Sequence, residues 1–213
     1  MTSLTNLQNE ILTRFFARQS EFFLTGGAAL VGFHLHHRET HDLDLFTTSH
    51  ALEDGEQTLR NVAADLELQF ESVTRSPDFR RFLLKSSDEG VVVDLVRDTA
   101  PQILEKLSVG GIVIDSADEI LANKLCALLS RTEPRDLVDV ARLEEAGHSP
   151  IAALELARRK DAGMSASQLA WVLSTFPIPF AEAQLHGMPR ADLERFRDSL
   201  VQRLAAAAFP IGV

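Results

Sequence analysis

The residues with most chemistry to offer lie between Phe22 and Phe46, in FFLTGGAALVGFHLHHRETHDLDLF. Asp42 and Asp44 are two positions apart, so on a strand they face one way about 7 Å from each other. Both carboxylates can then lean onto one divalent ion, although an isolated D-x-D also suits a solvated strand face. Upstream, Thr25-Gly26-Gly27 closes an apolar run and feeds a helical one. Backbone N–H groups at such a helix start favour a phosphate, because glycine lets an anion approach and the dipole attracts it. Ordinary turn chemistry is the plainer account. A third acid, Asp94, stands in VVVDLV on the face shared with Val92 and Val96. A carboxylate among valines needs a partner, since burying it alone is costly or neutralises it. A cation shared with Asp42 and Asp44 would serve, and so would an arginine.

Further along, Lys124 and Arg131 are seven apart and share one helix face, from which both could reach nucleotide phosphates. Asp136 and Asp139 fall in the first turns of the next helix, where the dipole alone favours acids. His34, His36, His37 and His41 crowd together, but no cysteine joins them as a zinc ligand would. They read as groups at the mouth of a site or on a solvated helix face. Arg80, Arg81 and Lys85 read as a solvated strand edge, Arg158-Arg159-Lys160 as cations at a helix C-terminus, and Trp171 and the phenylalanines as core.

These groups need elements to position them. Thr2 or Ser3 can cap a first helix whose apolar face is Leu4, Leu7, Ile11, Leu12, Phe15 and Phe16. A short strand over Phe22–Thr25 and a helix over Ala28–His36 follow. Asp42–Thr47 alternates as a strand with Leu43 and Leu45 inward, and Leu52–Leu66 has helical spacing. Leu68–Val73, Phe79–Lys85, Val91–Val96 and Gly111–Asp115 read as further strands. Ser116 with Glu119 makes a capping box for a helix to about Arg131. Helices starting at Pro134, Ser149-Pro150, Ser165 or Ser167, and Arg190 complete the chain. The pattern divides into an α+β region over residues 1–115 and a helical region over residues 116–213.

Composition narrows the possibilities. The 213 residues suit one domain with an appendage, and 45% hydrophobic with 24% charged content excludes a disordered chain. With 31 acidic against 21 basic residues the net charge is −10, which disfavours non-specific binding to nucleic acid or anionic membranes. Cys126 is the single cysteine, so no internal disulfide staples the fold. No apolar run approaches the ~20 residues that span a bilayer, and the N-terminus lacks a basic leader pattern. A cytoplasmic protein is the expectation.

Taken in order, strand–Gly26-Gly27–helix, Asp42-Leu43-Asp44 on a strand and Asp94 on a later strand resemble the DNA polymerase β-like nucleotidyltransferase fold. Lys124, Arg131 and Arg135-Asp136-Leu137-Val138-Asp139 resemble the AbiEii/AbiGii toxin branch of that superfamily. Arg38 and Thr40 before Asp42 fit the branch's R-x-[ST]-x-D-h-D motif. The match runs from Gly26 to Asp139.

The resemblance implies a mixed sheet with a helical C-terminal half. It also implies two Mg²⁺ ions on Asp42, Asp44 and Asp94, which would make these the catalytic acids. Thr25, Gly26, Gly27, Arg38, Lys124, Arg131 and Asp136 would hold the NTP, and Lys124 and Asp139 would assist catalysis. Two ions suit nucleotidyl transfer because they clamp attacking and leaving oxygens in line. The implied protein is the toxin of a toxin–antitoxin or phage-defence pair, with tRNA as a candidate acceptor and an antitoxin encoded nearby. Rival readings are an aminoglycoside-type small-molecule nucleotidyltransferase, which the acidic charge suits, and a non-catalytic nucleotide-binding or interaction module.

Overall fold

The computed structural model describes residues 4–181 and 185–208. The chain divides into two compact units, Met1–Thr99 with Leu104–Ser116, and Ala100–Ile103 with Ala117–Val213. The first has strands β1 (Phe23–Thr25), β2 (Asp42–Thr47), β3 (Gln69–Arg75), β4 (Phe79–Lys85), β5 (Gly90–Arg97), β6 (Leu107–Val109) and β7 (Ile112–Ile114). They form one mixed sheet in the order β3-β4-β5-β2-β1-β7-β6. β2 runs parallel to β5 and antiparallel to β1, while β4 pairs antiparallel with both β3 and β5. The architecture is α+β.

Alternation fixes β2 and β5 in the sheet. Leu43, Leu45, Val91, Val93 and Leu95 are at most 1% exposed and carry the core face. Each contributes about 1.5–3 kcal/mol on burial. Like charges placed side by side on the opposite face cost only about 0.2–1 kcal/mol, so the apolar face decides where the acids stand. Helix α1 (Asn6–Phe16) buries Ile11, Leu12 and Phe15, and α3 (Leu52–Asp65) buries Leu59, Val62 and Ala63. Between β1 and β2, α2 (Gly26–Ala29) runs on through a π-helical turn, Leu30–His34, closed by the Leu35 N–H to the Leu30 carbonyl at 2.9 Å.

The second unit is helical, with α4 (Ala117–Ser130), α5 (Pro134–Glu145), α6 (Pro150–Lys160), α7 (Ala166–Ser174) and α8 (Arg190–Ala208). Helix α4 packs on α5, α6 and α7, and α8 packs on α5, α6 and α7. Glu119 and Lys160 form an ion pair inside this unit, and Glu119 also accepts the Ile103 N–H at 3.3 Å. Among the described residues no helix is long and apolar enough to cross a membrane.

Four expectations change. The cap of α1 is Thr5, whose hydroxyl accepts the Gln8 N–H while Gln8 reaches back to the Thr5 N–H; Thr2 and Ser3 lie outside the described residues. Strand β6 makes a hairpin with β7 across Gly110-Gly111, whereas the sequence suggests β7 alone. Strand β4 lies inside the sheet, so Arg80, Arg81 and Lys85 are not on a free edge: each has a carboxylate partner. Trp171 is 69% exposed, since helix α7 buries Ala166, Leu169, Ala170 and Leu173 instead.

Candidate active site

Strand register gathers the acids of the first unit. Thr25 is level with Asp44 in the β1–β2 pair, Asp44 with Asp94 in β2–β5, and Asp94 with Arg81 in β5–β4. Level residues on neighbouring strands point to the same face, so Thr25, Asp44, Asp94 and Arg81 form one row across the sheet. Asp42 stands on that face one step along β2, about 7 Å from Asp44. Asp42 and Asp44 are half-buried, whereas Asp94 is only 4% exposed.

The glycine turn closes over this row. Gly26 has φ +62°, and a Cβ there would fall 2.2 Å from the Asp44 Oδ2. Only glycine permits both that backbone and that approach. At Gly27 a Cβ would come within 2.9 Å of the Arg38 Nη2 and 3.4 Å of the Thr40 Oγ1. Arg38 and Thr40 therefore sit against the start of α2, and Thr40 donates to the Asp42 Oδ1 at 2.8 Å. Gln8 in turn donates to the Thr40 carbonyl at 2.9 Å, so α1 steadies the residue that orients Asp42. Thr25 donates its hydroxyl to the Asp115 Oδ2 at 2.5 Å. Asp115 is fully buried at the end of β7, is paired with Lys106, and takes the His34 Nε2–H on its backbone carbonyl at 2.9 Å. Nothing in sequence spacing marks Asp115, because its partner Thr25 lies 90 residues away.

Asp94 finds its partner in Arg81. The Arg81 Nε donates to Oδ1 at 2.8 Å and Nη2 to Oδ2 at 2.6 Å, a two-pronged pair that occupies both carboxylate oxygens. The guanidinium also lies over the Phe79 ring, 5.5 Å from its centroid. These hydrogen bonds, with the charges of Asp94, Asp42 and Asp44, outweigh burial and hold the guanidinium above even its ordinary high pKa. Of the two partners that the sequence leaves open for Asp94, the structure shows the arginine. Among the described residues no three or more His, Cys, Asp or Glu side chains are arranged to hold a metal ion. Asp42 and Asp44 nonetheless fit a hard divalent ion. Mg²⁺ characteristically takes one or two carboxylates, substrate phosphates and water rather than a complete protein cage.

In the second unit, the remaining site residues from the sequence form a cluster of their own. The Lys124 ammonium lies 2.7 Å from the Asp136 Oδ1 and 2.7 Å from the Asp139 Oδ2. The Arg131 Nε donates to the Asp136 Oδ2 at 2.8 Å. Lys124 is 7% exposed and both aspartates are fully buried, while the Arg131 side chain is half exposed. Burial works against the Lys124 charge, but Asp139 and Asp136 outweigh it and raise the pKa above its ordinary value. Burial likewise opposes ionisation of Asp136, and Lys124 with Arg131 outweighs it to lower that pKa. The four side chains balance in charge and tie α4 to the first turns of α5.

The histidines serve several ends. His36 donates its Nδ1–H to the Val31 carbonyl at 2.8 Å and adopts φ +50°. With His37, Arg38, Glu39, Thr40 and His41 it lines an open cavity of about 500 Å³.

The sequence matches the family model described as nucleotidyl transferase AbiEii toxin, type IV TA system, over residues 10–210. Three solved structures share the fold. A Helicobacter pylori protein assigned as a nucleotidyltransferase is 17% identical with a TM-score of 0.66, covering 93% of this chain and 91% of its own. JHP933 of the same species is 16% identical with a TM-score of 0.59, covering 93% and 90%. MenT4, a nucleotidyltransferase toxin from Mycobacterium tuberculosis, is 14% identical with a TM-score of 0.54, covering 95% and 91%. No curated protein sequence gives a match.

Proposed function

This chain belongs to the AbiEii family of nucleotidyltransferase toxins, and from that premise we propose that it moves a nucleoside monophosphate from an NTP to an acceptor hydroxyl with the aid of Mg²⁺. The observation that carries the reading is the row of Asp44 and Asp94 beside Asp42, closed by a glycine at which an added Cβ would lie 2.2 Å from the Asp44 carboxylate. Asp42 and Asp44 hold the metal, and Thr40 fixes the rotamer of Asp42. Divalent metal, when bound, neutralises charge that develops between the attacking and leaving oxygens. The start of α2 at Gly26-Gly27, with Arg38 against it, offers backbone N–H groups and a guanidinium to the triphosphate. Thr25 supports that turn through Asp115.

The acceptor oxygen bonds to the α-phosphorus, the α–β bridging bond breaks, and pyrophosphate leaves with the electron pair. The acceptor proton goes to water, because both Asp94 oxygens already accept hydrogen bonds from Arg81. In the helical unit Arg131 is the member of the buried cluster with surface to offer a phosphate, and Lys124, Asp136 and Asp139 anchor it.

We infer tRNA as the acceptor and an antitoxin encoded beside this chain as its partner, in keeping with the type IV toxin–antitoxin description of the family. The net charge of −10 favours a second reading, a small cationic acceptor of the aminoglycoside kind. Each α-labelled NTP incubated separately with total tRNA and with aminoglycosides separates the two. Label on tRNA supports the first and label on the small molecule the second. If Asp44→Ala inhibits growth and binds Mg-NTP as the wild type does, the protein acts by binding alone and the catalytic reading is lost.

A further inference from the structure

Strand β4 lies inside the sheet, and one of its two faces adjoins the acids. Phe79, Arg81, Leu83 and Lys85 alternate onto the face that carries Asp94, because Arg81 is level with Asp94 and bonds it there. On the same face Phe79 is level with Val96 and Leu83 with Val92. Phe79, Leu83, Lys85, Val92 and Val96 are all part-exposed. On the opposite face Phe82, Leu84, Val91, Val93 and Leu95 are at most 1% exposed. The two strands therefore bury one face and leave the other open. Along β4 the open face interleaves an aromatic ring, a guanidinium, an aliphatic side chain and an ammonium. The strand holds three of the chain's 21 basic residues in seven positions. A chain of net charge −10 holds nucleic acid through a local patch of this kind, against its overall field.

Strand order relates this face to the reaction. β1, which ends at the glycine turn, flanks β2 on one side; β5 and then β4 flank it on the other. With the metal on Asp42 and Asp44 and the triphosphate at Gly26-Gly27, pyrophosphate leaves over the β1 side. An in-line attack then brings the acceptor oxygen from the opposite side, across β5 and β4. We propose that the open face of β4 and β5 is the acceptor platform, and that its occupant is the single-stranded 3′ end of an RNA. Phe79 offers a ring on which a base stacks. Leu83 beside Val92 gives an apolar seat further along the strand. Lys85 meets a phosphate: it and its partner Glu71 have side chains 44% and 59% exposed, and a surface pair of this kind exchanges readily for a phosphate contact. Arg81 stays on Asp94 and lies against the Phe79 ring, 5.5 Å from its centroid. The proposal rests on nucleotidyl transfer with the triphosphate at the glycine turn.

The test uses the full chain, with total tRNA as the probe. Phe79→Leu keeps apolar bulk and removes the ring, Phe79→Tyr keeps the ring, and Lys85→Gln removes one charge. In filter binding without NTP, Phe79→Leu is expected to weaken tRNA binding about tenfold and Phe79→Tyr to stay within about twofold of wild type. Lys85→Gln should lower the slope of log affinity against log salt by about 0.7. Trimming the single-stranded 3′ nucleotides from the tRNA should weaken wild-type binding, whereas Phe79→Leu should bind trimmed and intact tRNA alike. In transfer assays the KM for tRNA should rise in Phe79→Leu while the KM for NTP stays within about twofold. Wild-type affinity in folded Phe79→Leu overturns the proposal, as does a wild-type salt slope in Lys85→Gln, an equal rise in the KM for NTP, or wild-type binding indifferent to trimming. Label delivered to an aminoglycoside and not to tRNA overturns the RNA occupant. If Phe79→Leu does not fold, Lys85→Gln and the trimmed tRNA decide. If wild type transfers α label to no acceptor, nucleotidyl transfer itself fails; if it labels tRNA while the variants bind as wild type does, only the platform fails.

Discussion

Replacing Gly26 by alanine isolates what the glycine turn does for the acids. The residue has φ +62°, and a left-handed backbone costs a non-glycine residue about 1–2 kcal/mol. The added Cβ would also lie 2.2 Å from the Asp44 Oδ2, so the carboxylate has to retreat by about 1 Å to reach ordinary contact. A displacement of about 1 Å at a reacting group is worth about 100-fold in rate. It is also expected to weaken metal binding by about 10–100-fold, as the loss of an orienting contact does. Gly110 supplies the control, because it has φ +59° and nothing within 4 Å of its Cβ position. Gly110→Ala therefore has the same backbone strain without the collision. Urea melts should show both variants folded and destabilised by about 1–2 kcal/mol. Mn²⁺ titration and nucleotidyl transfer should be impaired in Gly26→Ala alone. Wild-type Mn²⁺ affinity in Gly26→Ala, or an equal loss in Gly110→Ala, would refute the claim that this turn positions Asp44.

Thr40→Val removes the hydroxyl that donates to Asp42, and Mn²⁺ titration should show affinity about 10–100-fold weaker with little change in melting. Lys124→Ala removes the ammonium that two fully buried aspartates share and should cost about 3–5 kcal/mol in urea melts, against about 1 kcal/mol or less for half-exposed Arg131→Ala. The same cluster sets a pH window. The lowered pKa of Asp136 contributes stability above the unfolded carboxylate range, near 3.9, that is lost as pH falls through the folded value. The raised pKa of Lys124 contributes stability below about 10.4 that is lost as pH rises through its folded value. Melts from acid to alkali should show a plateau between those limits, with the acid limb weakened in Asp136→Asn. Burial pushes the Cys126 thiol up to about 11, so iodoacetamide at pH 8 should alkylate it slowly in the folded protein and promptly in urea.

Local pattern carried the parts of the fold that a single segment specifies. The alternation of Asp42–Thr47 is visible because Leu43 and Leu45 must go inward, and the strand spans those same residues. Pro134 and Ser149-Pro150 likewise mark helix starts through backbone chemistry that acts over one turn. Contacts that depend on register were hidden. Arg81 and Asp94 meet because β4 and β5 pair with those residues level, and nothing in either strand alone specifies that alignment. The Thr25–Asp115 bond requires β1 to lie beside β7. The β6 strand has little signal of its own because Leu107-Ser108-Val109 is short and exposed throughout, although Gly110-Gly111 between apolar residues is a hairpin signal. The sequence grouped Lys124, Arg131, Asp136 and Asp139 by family motif. Their mutual pairing follows from helix spacing, which turns both aspartates toward one ammonium.

The most direct test of the central claim follows two phosphates of one nucleotide. The protein is incubated with Mg²⁺, total tRNA and NTP labelled at either the α or the γ position. Nucleotidyl transfer predicts α label on the acceptor, γ label released as pyrophosphate, and neither event with folded Asp44→Ala. Transfer of the γ label, or α labelling that persists in Asp44→Ala, would contradict the account.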